Sequence, residues 1–180
     1  MFVPHRSGAT RLRAGDPIRA ALVAAAAVTA ADRGLHDALA LLLVLPPVLV
    51  LRRLPAGNWL DAGFCGVLAT AQIGAIAGLT ERTGWWDAAA HATTGALLAL
   101  LIARLAPTRS PALGLVVIGA LAIAWESVEA LSDAVLGTAF APTAADTWTD
   151  LALGMLGAAV TAGLVCMLSG SRGPPTNRFV

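Results

Sequence analysis

The chain has 180 residues, of which 57% are hydrophobic and only 13% charged, with a mean hydropathy of +0.75 and a formal charge of +1. That balance lies well outside the range of a water-soluble domain and marks a membrane protein. Without lysine or tyrosine and rich in alanine, it supports neither a nucleic-acid-binding nor a disordered chain.

Residues 1–17 are polar, carry arginines and read as a cytoplasmic N-terminal segment, mobile at its start. A hydrocarbon core ~30 Å thick takes ~20 apolar residues to cross. Six segments suit it: 18–31, 35–51, 59–79, 86–105, 111–131 and 148–168. The expected fold class is therefore all-α, a polytopic transmembrane helical bundle of about six spans. The first two segments are short. An alternative treats the arginine-rich start and the alanine run ending in AVTAAD as a cleaved signal peptide, which leaves five spans. In the second segment Pro46 and Pro47 lack two successive N–H groups and should kink or break the helix near its inner end. Cys65 and Cys166 sit in apolar runs with no metal or redox spacing and read as small buried hydrophobes. After the membrane domain, 18–168, the tail SGSRGPPTNRFV (169–180) is polar and read as cytoplasmic.

Arginine placement gives the orientation, because cytoplasmic loops retain positive charge. Arg6, Arg11, Arg13 and Arg19 start the chain, Arg52 and Arg53 follow the second segment, Arg104 and Arg109 lie between the fourth and fifth, and Arg172 and Arg178 are in the tail. Only Arg33 and Arg82 fall in the alternate loops. Six spans with both termini in the cytoplasm satisfy this pattern, and the expected location is a bacterial inner membrane.

That topology assigns a depth to each acid. Nine of the eleven acidic residues, all but Asp16 and Asp61, fall toward the outer side. Asp87 and His91 open the fourth segment, Glu126 and Glu129 close the fifth in WESVEA, and Asp146 and Asp150 open the sixth in DTWTD. Each pair is three or four residues apart and so shares a helix face. One turn on from His91 and Asp150 stand Gly95 and Gly154, small residues that let helices approach closely in a bilayer. A charge at mid-bilayer costs on the order of 2.5 to 3.5 kcal/mol even on lenient insertion scales. Six ionisable groups facing lipid are untenable, so they must meet one another, share protons or hold a cation. Asp146 can alternatively cap its helix. Asp133 reads as an outer-loop residue, and His36 and Asp37 as solvated loop positions. Trp59, Trp85, Trp86 and Trp148 read as interfacial anchors, whereas Trp125, beside Glu126, can wall the site. Gly74 and Gly78 permit helix packing within or between protomers, and a homo-oligomer stays open.

WDAAAHATTG, WESVEA and DTWTDLALGMLGA together resemble the core of the YjdF-like family of multipass membrane proteins and, more distantly, the VanZ-like family, over roughly residues 80 to 160. The resemblance implies a helical membrane protein whose polar positions are Asp87, His91, Glu126, Glu129, Asp146 and Asp150, with no assigned chemistry. Asp150 stands where VanZ-like sequences usually carry asparagine, a departure from that pattern.

Three functions stay open. One is an outward-facing site for a cation, either protons or a divalent metal held by His91, Asp87, Glu126, Glu129, Asp150 and Asp146. Carboxylates with one imidazole suit Zn, Mn, Fe or Mg. The second is an intramembrane metal-dependent hydrolase or transferase acting on a lipid or lipid-linked headgroup, with Glu126 or Glu129 as general base. The third is a polar network that only specifies helix packing. Gln72 is the one obvious polar group at mid-membrane depth, so a continuous transport path is hard to draw.

Overall fold

The computed structural model describes residues 12–107, 110–141 and 143–170. Arg6, Arg11, Arg109, Arg172 and Arg178, together with nearly all of the tail, lie outside the described residues. Every regular element described is a helix: α1 (Asp16–Asp32), α2 (Leu35–Leu42), α3 (Leu45–Arg53), α4 (Asn58–Ile76), α5 (Leu79–Thr83), α6 (Trp86–Leu105), α7 (Pro111–Leu136) and α8 (Ala144–Gly170). The chain is an all-α membrane bundle. Five stretches are long and apolar enough to cross a bilayer: Leu35–Arg53, Asn58–Ile76, Trp86–Leu105, Pro111–Leu136 and Ala144–Ser169.

The first expected span is not one of those five. It forms α1, whose 17 residues extend ~25 Å at 1.5 Å per residue and include Asp16, Arg19 and Asp32. A turn at Arg33 and Gly34 folds α1 back along α2 and α3, so that Asp16 ends beside Arg52. The break in the second segment falls at its middle rather than its inner end. Pro46 and Pro47 cannot donate to the carbonyls of Leu42 and Leu43; α2 therefore stops at Leu42, and α3 takes its prolines in its first turn, where no donor is needed.

Two groups of helices share the interior. In one, Leu22 and Ala26 of α1 pack with Leu41, Val44 and Ala69. In the other, Ala99, Ile118 and Ala158 join α6, α7 and α8. Leu60 and Phe64 of α4 meet Leu101 of α6 and tie the two together. Lipid tails are as apolar as leucine, so close packing rather than escape from water drives such contacts. Large apolar residues such as Val116, Leu131 and Met167 are left on the outer surface. Cys65 is buried as expected, whereas Cys166 is exposed on the outward face of α8.

Asp16 and Asp61, set apart from the outer acids in the sequence, build a network at the opposite end. Asp61 is fully buried and Arg19 only 6% exposed. The guanidinium of Arg19 donates to both carboxylate oxygens of Asp61 (2.5 and 3.1 Å), to Asp16 (3.0 Å) and to the Val48 carbonyl (2.7 and 3.0 Å). Arg52 donates twice to Asp16, and Arg13 donates to the Leu54 carbonyl. Arg104 reaches Pro55 at the same end. The Arg52 guanidinium, followed by the Arg13 N–H, holds the Asp16 carboxyl well below the usual carboxylate range.

Candidate functional site

The opening of α6 is fixed from both sides. Gly84 adopts a left-handed conformation (φ 66°) that ends α5 and turns the chain into Trp85. The Trp86 ring then lies on Gly74 of α4, where any Cβ would collide with the indole Nε1. Trp85, by contrast, is 58% exposed, as an interfacial anchor should be. Trp86 is therefore a packing residue rather than a belt residue.

With its start held, α6 directs Asp87 and His91, one turn apart, toward α7 and α8. Glu126 and Glu129 approach from the buried face of α7, and Asp150 from α8. The approach of α8 depends on missing side chains. A Cβ on Gly95 would strike the Gly154 carbonyl, and one on Gly157 the carbonyl of Ala92. Backbone thus meets backbone one turn below His91 and Asp150, which carries Asp150 to the imidazole.

His91 is the hub. Its Nε2 lies 3.6 Å from Asp87 Oδ1 and 3.9 Å from Asp150 Oδ2, and its Nδ1 lies 3.8 Å from Glu126 Oε1. Two groups of candidate ligands share the ring: Asp87, His91 and Asp150, and His91, Glu126 and Glu129, each with one ligand atom per residue, all within 4.8 Å of one another. Ligands ~2.1 Å from a common ion stand up to ~4.2 Å apart, so modest closure converts either group into a coordination sphere. Three buried oxygens, Glu126 Oε2, Glu129 Oε2 and Asp150 Oδ2, have no hydrogen-bond partner. Among the described residues no arginine pairs with any of these acids. Like charges ~4 Å apart repel by ~4 kcal/mol at an effective dielectric of 20, so the carboxylates cannot all be ionised without a cation or shared protons.

The remaining candidates fall elsewhere. Asp146 belongs to neither group. Nor does its side chain cap α8: the Thr143 hydroxyl accepts the Asp146 N–H and fills that role. Asp133 lies in the last turn of α7 rather than in the loop, where its carboxylate accepts from Thr138, Phe140 and Ala141 and shapes the connection to α8. His36 is exposed and Asp37 half-buried, both outside the two groups. Trp125 does wall the site, lining a cavity that continues inward from the cluster. The sequence reading missed Gly157 as a second close-approach position, although its three-residue spacing from Gly154 signals it. It also missed the Arg19–Asp61 pair, whose members are 42 residues apart and share no motif.

Residues 18–170 match the family described as predicted membrane protein (DUF2238). Neither the curated proteins nor the solved structures contain a match to the chain.

Proposed function

The chain belongs to the DUF2238 family of predicted membrane proteins, and we propose that its His91 cluster binds a divalent cation. The observation that carries this reading is the set of three buried carboxylate oxygens without hydrogen-bond partners, arranged around one imidazole. A buried acceptor left unsatisfied costs ~1–3 kcal/mol, more when charged, and an ion removes that cost for several groups at once. The ion sits on the Nε2 side, between Asp87 and Asp150. Asp87 is the more exposed of the two, its side chain 27% accessible against 5% for Asp150, and gives the ion its way in. Glu126 then faces Nδ1 and fixes the tautomer, as second-sphere carboxylates do for metal-bound histidines. One nitrogen among hard oxygens suits Mn, Fe, Zn or Mg.

The same reading takes the protein as YjdF-like and, more distantly, VanZ-like. It also places the chain in a bacterial inner membrane, with 18–168 as the membrane domain and 1–17 and 169–180 cytoplasmic. The gathering of Arg13, Arg52 and Arg104 at the end away from His91 supports that orientation. A hydrolase or transferase reading draws support from Glu129, which lines the cavity with an unpartnered Oε2 and is suited to act as a base on a substrate there.

Elemental analysis of detergent-purified protein tests the cation reading. Near-stoichiometric Mn, Fe, Zn or Mg is expected, lost in His91→Ala and Asp150→Asn. In Glu126→Gln the metal is retained with affinity weakened about 10- to 100-fold. Metal-free wild-type protein that also fails to take up any of these ions would leave a proton-sharing or purely structural network.

A further inference from the structure

A cavity of about 980 Å³ runs inward from the cluster between α2, α3 and α4 on one side and α6 and α7 on the other. That volume lies at the top of the ~300–1,000 Å³ range of small-molecule sites. Asp87, His91, Glu129 and Asp150 line its outer part. Below them the walls are almost wholly aliphatic, with Leu68, Leu98, Ala122 and Val50 among them. Gln72 lines it at mid-depth, but its amide N–H is committed to the Ala40 carbonyl at 2.8 Å. An apolar chamber of this kind does not hold water stably.

Depth and access identify what fills it. From His91 to Leu101 along α6 the lining extends ten residues, ~15 Å, which is half of a ~30 Å hydrocarbon core. The chamber therefore matches the depth of a single leaflet's chains. It is also open sideways, since Leu39, Val50, Leu121 and Val128 both line it and are exposed on the lipid-facing surface. Its polar end sets several carboxylates around a single imidazole and, among the described residues, has no arginine, so an anionic head would enter there through a bound cation.

We propose that the cavity holds a phospholipid of the surrounding bilayer, its acyl chains between α3 and α7 and its phosphate on the cation at His91, Asp87 and Asp150. The headgroup contact rests on the cation reading; the acyl chamber does not. Phosphate oxygens would complete the coordination sphere on the side away from the protein ligands, with Glu129 beside the phosphate.

The test uses full-length protein, delipidated in detergent, loaded with Mn²⁺ and titrated with dioleoylphosphatidylglycerol. Native mass spectrometry reads lipid, elemental analysis reads metal, and electron–nuclear double resonance reads phosphorus coupling to the manganese. Leu68→Trp and, independently, Ala71→Phe fill the chamber from α4, which carries none of the cluster. Wild type should retain a single lipid equivalent and give a phosphorus coupling; both filled variants should lose lipid by about tenfold while retaining Mn²⁺. Equal lipid retention in wild type and both variants would overturn the chamber. Lipid and Mn²⁺ both retained without phosphorus coupling would overturn the headgroup contact. Loss of Mn²⁺ binding in wild type with lipid retention intact would sink the cation reading alone and take the headgroup contact with it.

Discussion

Among individual residues, Arg19 and Asp61 carry a strong energetic consequence. Both are nearly or fully removed from solvent, and each satisfies the other through two hydrogen bonds. Removing one member of a buried pair leaves an uncompensated charge and typically costs about 3–5 kcal/mol, whereas replacing both with apolar residues of similar size is often neutral. Arg19→Met or Asp61→Leu alone should lower the apparent Tm sharply in detergent, and the double substitution should recover most of the loss. Additive losses would mean the pair contributes nothing as a pair. Asp16 behaves differently under acid. Its folded pKa is depressed by Arg52, so its contribution is fully present above the ordinary carboxylate range and is lost only as pH falls well below it. Asp16→Asn should therefore remove stability at neutral pH and narrow the difference from wild type in strong acid, as thermal melts across pH would read. None of this was legible from the sequence. Asp61 is the single charge of α4 and Arg19 has only Asp16 near it on its own helix, so sequence gives no neighbour across helices. The outer acids were more readable because each brings its own partner three or four residues away, a spacing that fixes a shared face before any tertiary contact is known.

At the scale of helices, the α6–α8 contact decides whether the cluster exists at all. Gly95 and Gly154 put backbone against backbone, and Gly157 repeats the arrangement on Ala92. A leucine at Gly157 has no flexible neighbour to displace, since its Cβ alone would strike the Ala92 carbonyl, so the helices must separate. Overpacking costs about 1–3 kcal/mol where side chains can shift, and backbone contact leaves less room than that. Gly157→Leu should destabilise the protein and abolish metal retention, because Asp150 is two turns away on the same helix. Gly163→Leu on the same helix meets nothing within 4 Å and should change neither reading. Equal effects at the two positions would mean that helix propensity, not packing, governs α8. The Gly95 and Gly154 stripes were legible because they fall one turn from His91 and Asp150 along the same faces. The place where the second segment breaks was not: proline lacks the N–H that would reach the carbonyl four residues upstream, so the break precedes Pro46 instead of following it. Trp86 misled for a related reason. An aromatic at a helix start reads as an interfacial anchor, and only the bare Gly74 opposite turns it inward.

The whole molecule has two chemically opposite ends, and their separation follows from how charge is distributed over the bundle. One end joins Arg13, Arg19, Arg52 and Arg104 to two acids and to backbone carbonyls. The other joins one imidazole to carboxylates alone. Arg33, one of the two arginines of the alternate loops, reaches Ile76 at the end of α4, away from the Arg19 network. Such asymmetry is what retention of positive charge on a membrane's cytoplasmic side would produce, and the expected orientation rests on arginines recurring in every second loop. The number of crossings was less legible, since a 17-residue α1 with a buried arginine answers to packing as much as to hydropathy. Orientation follows as a testable outcome. In a Cys65→Ala/Cys166→Ala background, a cysteine at Thr138, in the turn between α7 and α8, should react in intact spheroplasts with a membrane-impermeant maleimide. A cysteine at Ser110, before α7, should react only after permeabilisation. The reversed pattern would put the His91 cluster on the cytoplasmic side and require its ion to come from inside the cell. Equal labelling at both positions would mean that α7 does not cross, since these residues stand at its two ends.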